Sequence, residues 1–145
     1  MSSLKKINAF AKNIRKLDYL PLLVIRIVLA YGFLTPALLK WQNIKGIADW
    51  FENMNYPLPH LSAYLAATTE ALGVILLALG LGIRYISVPL IFMMFVAIFT
   101  VHAGNGFNAG DNGFEIPLYY AIMLFTLLIF GSGKLSLDYL INKRK

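Results

Sequence analysis

Two ionised side chains stand inside long apolar runs of this chain: Arg26, in the run that begins at Tyr19, and Glu70, in the run that begins at Leu61. A charge at the centre of a hydrocarbon layer costs about 2.5–3.5 kcal/mol, so each needs a partner, and an acid and a base in adjacent runs suit one another. At ~1.5 Å per helical residue, Arg26 falls roughly 10 Å from one edge of a ~30 Å core and Glu70 roughly 13 Å from the other, leaving a gap within an arginine's reach. The spacing therefore predicts that Arg26 and Glu70 interact, directly or through water. Two roles stay open for them, a structural ion pair and a functional site.

Lys40 follows on the same apolar run as Arg26, and at ~100° per residue it returns to nearly the same helix face one leaflet away. His102 closes the third run and Glu115 opens the fourth, so Arg26, Lys40, Glu70, His102 and Glu115 are expected to line a polar pocket opening at one mouth of a helix bundle. A quinone headgroup, an anionic small molecule or a proton path would suit such a lining. The imidazole of His102 serves either as an interfacial hydrogen-bonder or in proton handling, because its pKa lies near neutrality. A metal reading uses His102, His60 and Glu115, with Met54 as a thioether donor, a set that copper accepts. Met93 and Met94 read as core filler. Of Tyr119 and Tyr120, one is expected to hydrogen-bond into the cluster and the other to join an aromatic belt.

The elements that must hold these groups are helices in a membrane. Of 145 residues, 59% are hydrophobic and only 14% charged, and the mean hydropathy of +0.67 excludes an ordinary water-soluble globule. Expected spans cover about 19–39, 61–83, 85–103 and 116–131, giving an all-α, four-helix integral membrane bundle as a single domain over 1–145. Gly82-Ile83-Arg84-Tyr85 is too short for anything but a tight antiparallel connection. Segments 3–17 and 43–54 carry apolar residues at helical spacing beside basic or Trp residues, as short amphipathic interfacial helices do. The long polar N-terminal stretch and the lack of a small-residue cleavage site argue against a cleavable signal peptide.

Absence of cysteine excludes disulfides, thiolate metal sites and thiol relays from the chain's own chemistry. The net charge of +6 resides mostly at the termini beside apolar runs, which points to anionic lipid rather than nucleic acid as the partner. The same basic residues, with Arg84, outnumber Lys40 and Lys45 on the opposite side and predict cytoplasmic termini. No Walker loop, dinucleotide turn or paired-histidine helix is present. Oligomeric state stays open, because small-residue faces serve packing within one copy or between copies.

Arg26 in the first run, the Trp-containing helix, Tyr56-Pro57-Leu58-Pro59, Glu70-Ala71-Leu72-Gly73, Leu79-Gly80-Leu81-Gly82-Ile83-Arg84 and Ser136-Leu137-Asp138 together resemble the DoxX family. Arg84-Tyr85-Ile86-Ser87-Val88-Pro89-Leu90, with Thr100-Val101-His102 and Asn105-Gly106-Phe107, resembles a subgroup encoded beside maturation systems for copper-binding, ribosomally made peptides. The family resemblance implies a four-helix protein of the bacterial cytoplasmic (inner) membrane. It also implies an accessory part in redox metabolism, since some relatives are subunits of a thiosulfate:quinone oxidoreductase or of a membrane oxidoreductase assembly. The subgroup resemblance implies copper handling or peptide maturation. A purely structural membrane subunit is the remaining alternative.

Overall fold

Asp18 ends a basic stretch, and from Tyr19 the chain runs as one helix, α1 (Tyr19–Gln42), because its apolar surface is broken only by single residues such as Arg26 and Gly32 and by no polar cluster. Pro36 lies inside α1 without ending it; lacking an N–H, it leaves the carbonyl of Gly32 without its helical donor. In this computed structural model residues 7, 8, 10 and 12–144 are described, and among them every regular element is helical. The expected surface helix over 3–17 falls partly outside the described residues; within them, 12–14 are helical and Arg15–Leu17 forms a 3₁₀ turn.

Asn43 caps α2 (Ile44–Asn53) by accepting a hydrogen bond from the Gly46 amide, and the apolar face of α2 packs Ala48 and Phe51 against Ala63. Leu58 in a left-handed conformation and Pro59 at the first position start α3 (Pro59–Leu79). Gly80 (φ +68°) ends α3 and Gly82 (φ +59°) precedes α4 (Ile83–Ala97), so the short antiparallel connection forms as expected. Here α4 continues through a π-helical turn, Ile98–His102, before the loop that leads to α5 (Glu115–Phe130). A final helix, α6 (Leu137–Lys143), capped by Ser136, was not anticipated from sequence.

Three helices are long and apolar enough to cross a membrane: Tyr19–Gln42, Pro59–Leu79 and the continuous Ile83–Asn105. The fourth apolar helix, Glu115–Phe130, is shorter at 16 residues. α1 packs along α3, α4 packs along α5, and α3 joins the two pairs through α4. Leu29, Leu77, Leu90 and Leu124 meet in the middle as a fully buried apolar layer. Gly73 lets α3 approach α4, since a Cβ there would sit only 3.0 Å from Leu90 Cδ1.

Candidate functional site

The acid inside the bundle is paired, but with Lys40 rather than Arg26. Lys40 Nζ donates to both carboxylate oxygens of Glu70, at 3.0 and 2.9 Å. Glu70 is 4% exposed. Next to the pair, Trp41 Nε1 donates to the Ala67 carbonyl at 3.2 Å and fixes the end of α1 against α3. The direction of helical side chains explains the choice of partner. Side chains lean toward the N-terminus of their own helix. α1 and α3 are antiparallel, so Lys40 leans inward along α1 while Glu70 leans outward along α3, and the two converge.

The same rule corrects the expected Arg26–Glu70 contact. Arg26 leans toward the start of α1, away from Glu70, and sits level with Leu77 and Gly80, which at ~1.5 Å per residue puts it roughly 10–15 Å from the acid. Its guanidinium donates to the Leu77 carbonyl at 3.4 Å, one of the carbonyls left without a donor where α3 ends, and to the Leu135 carbonyl. Nε has no partner among the described residues. Arg26 thus closes the end of α3 and ties the C-terminal segment to it. Asp138 completes that junction by accepting from the amides of Gly82 (2.9 Å) and Ile83 (3.3 Å) at the start of α4. Glycine is required at position 80, because Arg26 and Ser136 occupy the space of a side chain.

On the opposite side of the leucine layer a cavity of about 280 Å³ is bordered by Glu70, His102, Tyr120, Gly32, Pro36 and the loop residue Asn112. His102 is delivered there by the π turn, a rare element that re-aims the residues after it. Its Nδ1 is 2.8 Å from the Asn112 carbonyl, an acceptor only, so in the neutral ring Nδ1 carries the proton and Nε2 the free lone pair. Tyr120 packs edge-on against Phe33, with a ring separation of 5.4 Å, and fills the space beside Gly32. Sequence reasoning split Tyr119 and Tyr120 without choosing between them, and it missed Gly32, Pro36 and Asn112. Its usable signal was a glycine four residues before a proline within a span, which frees a carbonyl in an apolar wall.

Glu115 does not border this cavity. Its carboxylate accepts from the Ala109 amide (3.0 Å) and the Tyr119 hydroxyl (3.1 Å), and so fastens the 106–115 loop over the cavity. His60 is exposed at the start of α3. The expected metal donors His102, His60 and Glu115 are therefore not assembled, and among the described residues no three His, Asp or Glu side chains come together as a metal site. Gly113 is the tight point of the loop: a Cβ there would lie 2.5–2.6 Å from backbone atoms of Gly106, Phe107 and Asn108. Gly113→Ala is expected to cost about 1–3 kcal/mol, typical of forced overpacking, and to expose the 106–115 loop to limited proteolysis while cleavage elsewhere stays unchanged.

The family model described as DoxX matches residues 21–103, which carry Arg26, Lys40, Glu70 and His102. A Haemophilus influenzae protein named "Uncharacterized protein" is 34% identical over 126 residues, covering 84% of this chain and 83% of that protein. A Bacillus subtilis protein named "Putative oxidoreductase CatD" is 30% identical over 125 residues, covering 85% of this chain and 88% of its own length. No solved structure matches the chain significantly.

Proposed function

This chain belongs to the DoxX family, and from that premise we propose that it is an accessory subunit of a bacterial inner-membrane redox system, holding a quinone-class headgroup in the cavity beside Glu70. The observation that carries the reading is a buried Glu70, paired with the half-buried Lys40 behind it, bordering a cavity inside an otherwise apolar bundle; Lys40 itself does not line that cavity. A pair used only for packing would not need open space beside it. The cavity is close to the smallest size usual for small-molecule sites and suits a single substituted ring. Its polar groups suit the reduced, quinol form of such a ring: the quinol hydroxyls donate to the Gly32 carbonyl, His102 Nε2 or the Glu70 carboxylate, and one ring oxygen accepts from the Tyr120 hydroxyl.

A bound quinone would supply two-electron chemistry coupled to two protons. The part played by this chain is to orient the ring, exclude water with the leucine layer and exchange protons through Glu70 and His102. Electrons would pass to or from a partner subunit, since the chain has no cysteine for thiol redox chemistry. The name of the Bacillus subtilis relative supports the redox assignment. The likeness of residues 84–90 and 100–107 to the copper-peptide subgroup supports placing that redox system beside peptide maturation.

For topology we adopt four spans with both termini in the cytoplasm and the cavity facing outward. Leaving aside Arg26 and Glu70 inside the bundle, seven described cations lie at the end that carries the termini, against Asp18 and Asp138; the other end carries Lys40 and Lys45 against Asp49, Glu52, Asp111 and Glu115. α5 reaches ~24 Å at 1.5 Å per residue and would span with modest local thinning.

The test is mass spectrometry of small molecules extracted from protein purified with its lipids. A quinone is expected in near-stoichiometric amount, and Glu70→Gln is expected to lower it at least tenfold while the fold persists. An extract containing lipid alone, or a folded Glu70→Gln variant with unchanged quinone, would reject the assignment.

A further inference from the structure

A second opening, of about 910 Å³, lies at the end of the molecule opposite the cavity, and nothing in the proposed function uses it. It sits where the start of α1 and the end of α5 diverge, closed beneath by the C-terminal segment. Leu22, Ile25 and Phe130 give it apolar walls, while Arg84, Lys134 and Ser132 give it a polar floor. We propose that this cleft binds the headgroup of an anionic phospholipid, with its phosphodiester on Arg84 and the first acyl carbons along Leu22, Ile25 and Phe130.

Charge accounting carries the proposal. Asp18 pairs with Lys134 at 3.2 Å, so those two charges cancel, while Asp138 accepts from the Gly82 and Ile83 amides and its charge is offset by the neighbouring Arg26, which leaves Arg84 as the cleft's uncompensated charge. Arg84 forms no ion pair among the described residues and gives one hydrogen bond, 3.3 Å to the Ile129 carbonyl, so most of its donors remain for a ligand. The guanidinium lies alongside Gly131, where a side chain would stand in contact with Nε and Nη2 at 3.6–3.7 Å. The surrounding end of the molecule is positive as well, since Lys12, Arg15 and Lys16 immediately precede α1 and are exposed.

The form of the cleft selects lipid over a free anion. Its apolar walls belong to helices whose outer surfaces are themselves apolar and exposed, with Phe130 and Tyr85 largely uncovered at its rim. On the four-span topology adopted above, the opening joins the lipid-facing surface at the depth of the headgroup phosphates, and tyrosines 19, 85 and 139 line it as residues of an interfacial belt do. A water-borne phosphate would gain nothing from the three apolar walls. One basic residue near an anionic surface contributes about 1 kcal/mol, equivalent to about fivefold in binding.

Native mass spectrometry of delipidated protein, offered equal amounts of phosphatidylglycerol and phosphatidylcholine with identical chains, tests this. Both lipids carry the phosphodiester, but the choline cation cancels its charge and is repelled by Arg84, so phosphatidylglycerol is expected to be retained about fivefold more. Arg84→Gln should abolish the preference, whereas Lys143→Gln, at the same end but outside the cleft, should keep it. Equal retention of the two lipids by the parent protein overturns the proposal whether or not the variant folds. Equal loss of preference in both variants, or full displacement by an equal concentration of inorganic phosphate, also overturns it. The outcome is independent of the quinone assignment, which concerns the other end of the bundle.

Discussion

Lys40→Met is expected to destabilise the protein by about 3 kcal/mol or more, read as the free energy of unfolding in mixed micelles. The substitution keeps most of the side-chain volume and removes only the charge that both Glu70 oxygens use. An isolated buried carboxylate is far worse than a buried pair, because neither water nor a counter-ion then offsets its desolvation. Adding Glu70→Leu to Lys40→Met should restore most of the lost stability, since replacing a buried pair by apolar side chains is often neutral or better. Here the double variant separates structure from function. If the pair serves the cavity, the restored protein still lacks its small molecule. A Lys40→Met protein as stable as the parent would mean that Glu70 is satisfied in another way. A double variant that kept the bound quinone would remove the ion pair from the site.

Arg26→Met is expected to release the C-terminal segment and to cost about 2–3 kcal/mol, the scale of two carbonyl groups deprived of their donor. The guanidinium is 1% exposed and bridges Leu77, at the end of α3, to Leu135, far away in the chain. Without it, α3 loses the group that satisfies its terminal carbonyl, and Asp138 loses a neighbouring positive charge. Protease sites between Gly131 and Lys143 should become accessible while the cavity beside Glu70, and any small molecule it holds, persists. Arg26→Lys should recover only part of the stability, because a single ammonium group lacks the planar fork that serves two carbonyls at once. Simultaneous loss of a small molecule bound beside Glu70 would show that the two ends are coupled through the leucine layer. Unchanged protection of the C-terminal segment would refute the latch.

Much of the architecture was legible without coordinates because it rests on local properties. The apolar runs beginning at Tyr19, Leu61 and Tyr85 became helices starting within two residues of those positions, and Gly80 and Gly82 marked the turn between α3 and α4. The α2 helix was legible from the spacing of Ile44, Ile47, Phe51 and Met54. The π turn was not legible, since its residues Ile98 to His102 read equally well as a continuing α-helix. Nor was α6, whose seven residues carry too short a pattern to stand out from a charged tail.

Composition and the order of residues are enough to make this protein helical and apolar, to charge its two ends differently, and to require partners for its internal ions. Those are consequences of side-chain chemistry and of what lipid will not solvate. Only the tertiary structure decided which ions meet. Pairing depends on how far α1 slides along α3 and on which way each side chain leans, and Arg26 sits level with Leu77 and Gly80, roughly two to three helical turns from Glu70, where Lys40 is the base within reach. It also depends on a segment more than a hundred residues from Arg26 folding back to receive its guanidinium. No local pattern encodes that return, because it is stabilised by carbonyl groups that every residue carries.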